Sequence, residues 1–136
     1  RSQSGTRRAS NLEGVKVLCI DNEPIILEGM SALLTGWSCE IRTALSEEEA
    51  IQQCQSDDYL PDVILADYHL SDTKTGVMAL KALYKLWDKT VPAIVITADR
   101  TDEVQEEVHE IGAQKLHKPM KPAALRAMMN TLLAQH

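Results

Sequence analysis

The sequence predicts an α/β fold: a single doubly wound (βα)5 domain around a parallel sheet of strand order 2-1-3-4-5. Three observations lead there. Residues 15–20, 63–66 and 92–96 are short, nearly continuous apolar runs rich in Val and Ile, the pattern of strands covered on both faces. Residues 39–43 and 114–117 are weaker, alternating runs that read as edge strands. Strand starts near 15, 39, 62, 92 and 114 are spaced so that each gap holds one crossover helix, which makes the strands parallel. Placing the two weak strands at the edges puts the three continuous runs in the middle.

The helices follow in order. Ile26, Met30, Leu33 and Leu34 form an apolar stripe after Pro24, and Ala50, Ile51 and Cys54 form a second. Ser46 with Glu49 is a capping box for that second helix, and Glu47, Glu48 and Glu49 suit the positive end of its dipole. Leu80, Leu83, Tyr84 and Trp87 mark the third. Val104, Val108 and Ile111 mark the fourth, opened by Thr101 and closed by Gly112. Leu125, Met128, Met129, Leu132 and Leu133 give the fifth, with the methionine pair as core filler.

Composition bounds the rest. The 136 residues suit one domain, and with 44% hydrophobic residues, 4% aromatic and no phenylalanine the core is aliphatic. A net charge of −6 excludes a surface built for nucleic acid or anionic lipid. Cys19, Cys39 and Cys54 lack metal or redox spacing and read as reduced, buried thiols of a cytoplasmic protein. No apolar run is long enough for a membrane span, so no direct membrane insertion is expected. Residues 1–14, rich in Ser, Gly and Arg, read as a flexible linker or tag remnant, leaving 15–136 as the domain.

Doubly wound sheets bind ligands beyond the carboxyl ends of their strands, at the switch point between strands one and three. Strand one ends in Asp21, Asn22 and Glu23; strand three in Asp67; strand four in Thr97; strand five in Lys118 and Pro119. Two carboxylates at the switch point repel, so either one titrates or a cation binds between them, and all-oxygen ligands suit Mg²⁺. A divalent cation, a lysine and a hydroxyl around one carboxylate describe a site for a phosphoryl group on that carboxylate.

This set of residues resembles the receiver domain of two-component response regulators, the flavodoxin/CheY-like fold, over about residues 15 to 135. The resemblance implies that Asp67 is the phosphoacceptor, taking phosphate from a phosphohistidine of a histidine kinase or histidine phosphotransfer domain. It implies Mg²⁺ held by Asp21, by Asn22 at the usual place of a second acid, by Asp67 and by the main-chain carbonyl of His69. Thr97 and Lys118 would each bond a phosphoryl oxygen, with the Lys118–Pro119 bond cis. The linker-like start, the end soon after the fifth helix and the strings Cys-Ile-Asp-Asn-Glu-Pro, Ala-Asp-Tyr-His-Leu and Ile-Thr-Ala-Asp-Arg are similar to the C-terminal receiver of a hybrid sensor histidine kinase. Whether two such receivers pair as a homodimer is left open by the sequence.

Four features depart from the family pattern. Asn22 removes a charge from the metal site, which Glu23 could restore. The loop after Asp67 is one residue longer than usual and lacks Met-Pro. Lys115 stands where receivers generally carry a switch aromatic. His69 and Asp99 occupy positions that tune phosphate lifetime. Asn22 and Lys115 keep a second reading open, a degenerate receiver that binds partners without phosphorylation. Asp21 and Asn22 also have a plain role, capping the helix that starts at Pro24. A nucleotide-binding enzyme lacks support, since no glycine-rich phosphate loop follows strand one. An aspartyl phosphatase would need an acid where His69 stands.

Overall fold

A computed structural model describes residues 12–135. Strands and helices alternate: β1 (Lys16–Ile20), α1 (Pro24–Gly36), β2 (Glu40–Ala44), α2 (Glu47–Ser56), β3 (Val63–Asp67), α3 (Gly76–Trp87), β4 (Ala93–Thr97), α4 (Asp102–Glu110), β5 (Gln114–His117) and α5 (Pro122–Ala134). All strand pairs are parallel and the order is β2-β1-β3-β4-β5, as the apolar pattern predicts.

Because side chains alternate across a strand, each central strand feeds two core layers. Leu18, Ile20, Ile64 and Ala66 face α2, α3 and α4, where they meet Ala50, Leu80 and Val104. Val17, Cys19, Val63 and Leu65 face α1 and α5, where they meet Leu34, Leu125 and Met129. β3 and β4 are buried along their whole length, whereas β2 and β5 are half-exposed edges. All three cysteines are free and buried. No helix among the described residues is long and apolar enough to cross a membrane.

Helix starts follow local chemistry. Ser46, Thr75 and Thr101 each accept a hydrogen bond from the amide three residues on, at Glu49, Met78 and Val104. The Glu49 carboxylate returns to the Leu45 amide, shifting the reciprocal bond of the predicted capping box by one residue. α1 differs from expectation. Its N-cap is Glu23, with no side-chain cap, and Asp21 instead accepts the Glu23 amide at 2.9 Å, while Asn22 is exposed.

Two boundaries also move. β2 starts at Glu40 rather than residue 39, because the Cys39 amide bonds the Leu34 carbonyl at the end of α1. The packed body starts before residue 15: Leu12 is only 2% exposed in the α1/α5 layer, and the Gly14 amide donates to the Ser38 carbonyl. Residues 12–14, read from composition as linker, therefore belong to the domain, while residues 1–11 of that expectation lie outside the described residues.

Candidate functional site

The carboxyl ends of β1, β3, β4 and β5 bring the predicted residues to one edge. Asp67, the last residue of β3, is 7% exposed, and Lys118 reaches it from the surface with Nζ 2.7 Å from Oδ1. The Lys118–Pro119 bond is cis, and the Lys118 amide donates to the Thr97 carbonyl at 2.9 Å. Thr97, 1% exposed, does not bond Asp67; its Oγ1 accepts the Asp99 amide at 2.9 Å. Asp21, at the end of β1, is buried beside them.

The charges at this edge act on one another. Burial is the main cause that lifts the Asp21 carboxyl above its ordinary value. The Glu23 amide bond opposes that shift, the Asp67 charge adds to it, and Lys118 opposes it. Burial alone would lower the Lys118 ammonium, but its hydrogen bond to Asp67 and the charges of Asp67, Asp21 and Glu23 outweigh that and raise it. A site with two buried carboxylates and one lysine is anionic, short of a cation.

Whether Mg²⁺ fits is a question of donors. Asp21 and Asp67 are both buried at this edge and close enough for their charges to act on one another, and their hard carboxylate oxygens are of the kind a small divalent ion takes, with water completing its shell. Among the described residues no three or more His, Cys, Asp or Glu side chains gather as a metal cage. The Asn22 and Glu23 side chains are exposed next to these two carboxylates, and the His69 side chain is exposed too.

The loop after Asp67 is ordered by its own bonds. His69 bridges Thr75 in antiparallel fashion, the Leu70 and Ser71 amides both donate to the Lys74 carbonyl, and the Gly76 amide donates to the Tyr68 carbonyl at 2.7 Å. Lys74 further pairs with Glu47 at 3.5 Å. Gly76 has to be glycine, because a Cβ there would sit 2.4 Å from the Asp67 carbonyl oxygen. Its role was invisible in the sequence, where it looked like one more loop residue.

Beside the charged edge lies an apolar cleft of about 380 Å³ between α1 and the segment after β5, lined by Ile25, Ile26, Met30, Ile96 and Met120. Ile25 is 73% exposed at its rim. The helical stripe of α1 gave no sign of this, since Ile25 falls outside it.

Five parallel strands in the order 2-1-3-4-5, with two carboxylates, a lysine and a threonine at the switch point, make this a CheY-like α/β domain. The model of the response regulator receiver domain family matches residues 17–130, and the chain belongs to that family. It is 31% identical over 132 residues to the Phyllosphere-induced regulator PhyR of Methylorubrum extorquens, a match covering 96% of this chain and 48% of that protein. It is 26% identical to the transcriptional regulatory protein ZraR of Escherichia coli K12, covering 90% of this chain and 27% of that one. The chain thus spans about half or less of these curated relatives. The structure of chemotaxis protein CheY4 from Vibrio cholerae superposes with a TM-score of 0.79 at 27% identity, covering 88% of this chain and 99% of that one.

Proposed function

We propose that this domain accepts a phosphoryl group on Asp67 from a phosphohistidine, with Mg²⁺ at Asp21 and Asp67. The observation that carries it is the contact between Lys118 Nζ and Asp67 Oδ1, 2.7 Å apart at the switch point beside a buried Asp21. Lys118 holds Oδ1, leaving Oδ2 to attack phosphorus. The new P–O bond forms as the P–N bond to the donor imidazole breaks; the electron pair stays on nitrogen, which takes up a proton. Bound Mg²⁺ supplies positive charge to the transferring oxygens. Asp21, Asp67 and the His69 main-chain carbonyl would hold that ion, and Asn22, a neutral amide, would add less to its binding than an acid. Thr97 Oγ1 donates to a phosphoryl oxygen after transfer.

The donor is a histidine kinase or phosphotransfer domain, separate or part of a hybrid sensor kinase that includes this domain. The apolar cleft rimmed by Ile25 and Ile26 gives it a surface beside the acceptor. Asn22 and Lys115 favour the second reading, a binding module that takes no phosphate. Incubation with Mg²⁺ and a small acyl phosphate, read by intact mass, separates the two. The acceptor gains one phosphoryl group, and loses the gain on Asp67→Asn substitution or on chelation of Mg²⁺. No gain in the unaltered chain leaves the binding module.

A further inference from the structure

The face of α1 that borders the charged edge carries a gap. Ile25, Gly29 and Leu33 are spaced by four and form one row along the helix, beside Ile26 and Met30. Gly29 sits inside the helix, where glycine is less stable than alanine because it has more backbone freedom to lose. Nothing in its surroundings requires a glycine. Its backbone is not in the left-handed region, and among the described residues a Cβ built there would meet no atom within 4 Å. What Gly29 does is widen the apolar cleft, which it lines between two large neighbours of its own row.

The cleft also runs below the surface. Leu65 of β3 and Ile96 of β4, which line it, are 1% and 9% exposed, and Met120 lines it from the segment after β5. Its volume of about 380 Å³ lies in the range of small-ligand sites. At its charged end the lining groups are Asp67 and Lys118 themselves, with Asp21 beside them. An occupant that fills the cleft therefore has an apolar chain and a head that meets an aspartate, a lysine and, on the acceptor reading, Mg²⁺. A phosphoryl head, with oxygens for both the lysine and the ion, satisfies that requirement.

We propose that the cleft receives the alkyl chain of an acyl phosphate while its phosphoryl end lies at Asp67, which makes medium-chain acyl phosphates better donors to this domain than acetyl phosphate. This rests on the acceptor reading above and names a small-molecule donor for the same site. Asp67 Oδ2 forms the new bond to phosphorus as the bond from phosphorus to the acyl oxygen breaks. The electron pair leaves on that oxygen as a carboxylate, and no proton moves. The chain is held equally before and during transfer, so it lowers the donor concentration needed and leaves the rate at saturation unchanged.

Phosphoryl uptake from acetyl, butyryl and hexanoyl phosphate in saturating Mg²⁺, followed by intact mass against donor concentration, tests it. The parent straight-chain acids are of closely similar strength, so the leaving groups differ little and the series varies the chain alone. With half of each methylene's surface buried in an open-sided cleft, each adds about twofold, and hexanoyl phosphate should react about 15-fold faster than acetyl phosphate below saturation. Gly29→Leu fills the gap with a better helix former and should abolish the hexanoyl advantage without loss of stability in urea. Equal uptake from all three donors by the unaltered chain, or a Gly29→Leu chain that keeps the hexanoyl advantage, overturns the chain site and leaves the acceptor reading intact. No uptake from any of the three overturns both.

Discussion

Asp21 ionises at a cost in the folded chain, because burial and the charge of Asp67 act against its carboxylate. A carboxyl raised in the folded state holds its proton more tightly than in the unfolded chain. That contribution to stability is complete below the ordinary value of 3.8 and disappears as pH rises through the raised one. Asp21→Asn keeps an oxygen for the Glu23 amide and removes the charge. In chelator at neutral pH it should stabilise the domain in urea unfolding, and the gain should vanish as pH falls below the ordinary carboxyl value of 3.8. Lower stability of the variant at neutral pH would show that the charge is already compensated. The same residue was legible in the sequence, as were Asp67, Thr97 and Lys118, because the switch-point rule says which strand ends meet before any distance is known. Tyr68 with Glu107 was not legible: they lie on separate elements, and only the reach of one side chain across the core joins them.

At the scale of elements, what the apolar runs predicted was the identity and order of strands and helices, and what they missed was where some of them begin. Periodicity reports which face is buried, whereas a boundary is set by which partner takes each amide. Cys39 continues the apolar alternation of β2, yet its amide closes the end of α1. The junction of β3 with α3 is set by space instead. Gly76 lies so close that an added methyl would meet the Asp67 carbonyl oxygen, which is backbone and cannot step aside cheaply. Gly76→Ala should cost roughly 1–3 kcal/mol in urea unfolding and slow phosphoryl uptake by displacing Asp67. Uptake at the rate of the unaltered chain, with stability unchanged, would mean that α3 can shift without moving the acceptor.

For the whole molecule, the scarcity of aromatics becomes two sheet faces filled by aliphatic side chains, with α2, α3 and α4 on one and α1 and α5 on the other. The second layer extends to Leu12, an isolated apolar residue in a polar stretch that no period could reveal. Leu12→Ala should destabilise the domain by roughly 2–4 kcal/mol by thermal or urea unfolding, whereas a negligible loss would return residues 12–14 to the linker. The missing aromatic at 115 also takes on physical content, for Lys115 ties β5 to α4 through Gln105 and leaves Tyr68 as the aromatic that reaches α4 from the acceptor strand. All of this turns on whether Asp67 carries the phosphoryl group. An acyl phosphate is reduced by borohydride to the alcohol of the same side chain, so treatment of the Mg²⁺ and acyl phosphate reaction with borohydride, followed by peptide mass mapping, reads the site directly. The account predicts homoserine at position 67 and nowhere else; reduction at another carboxylate, or at none, would contradict it.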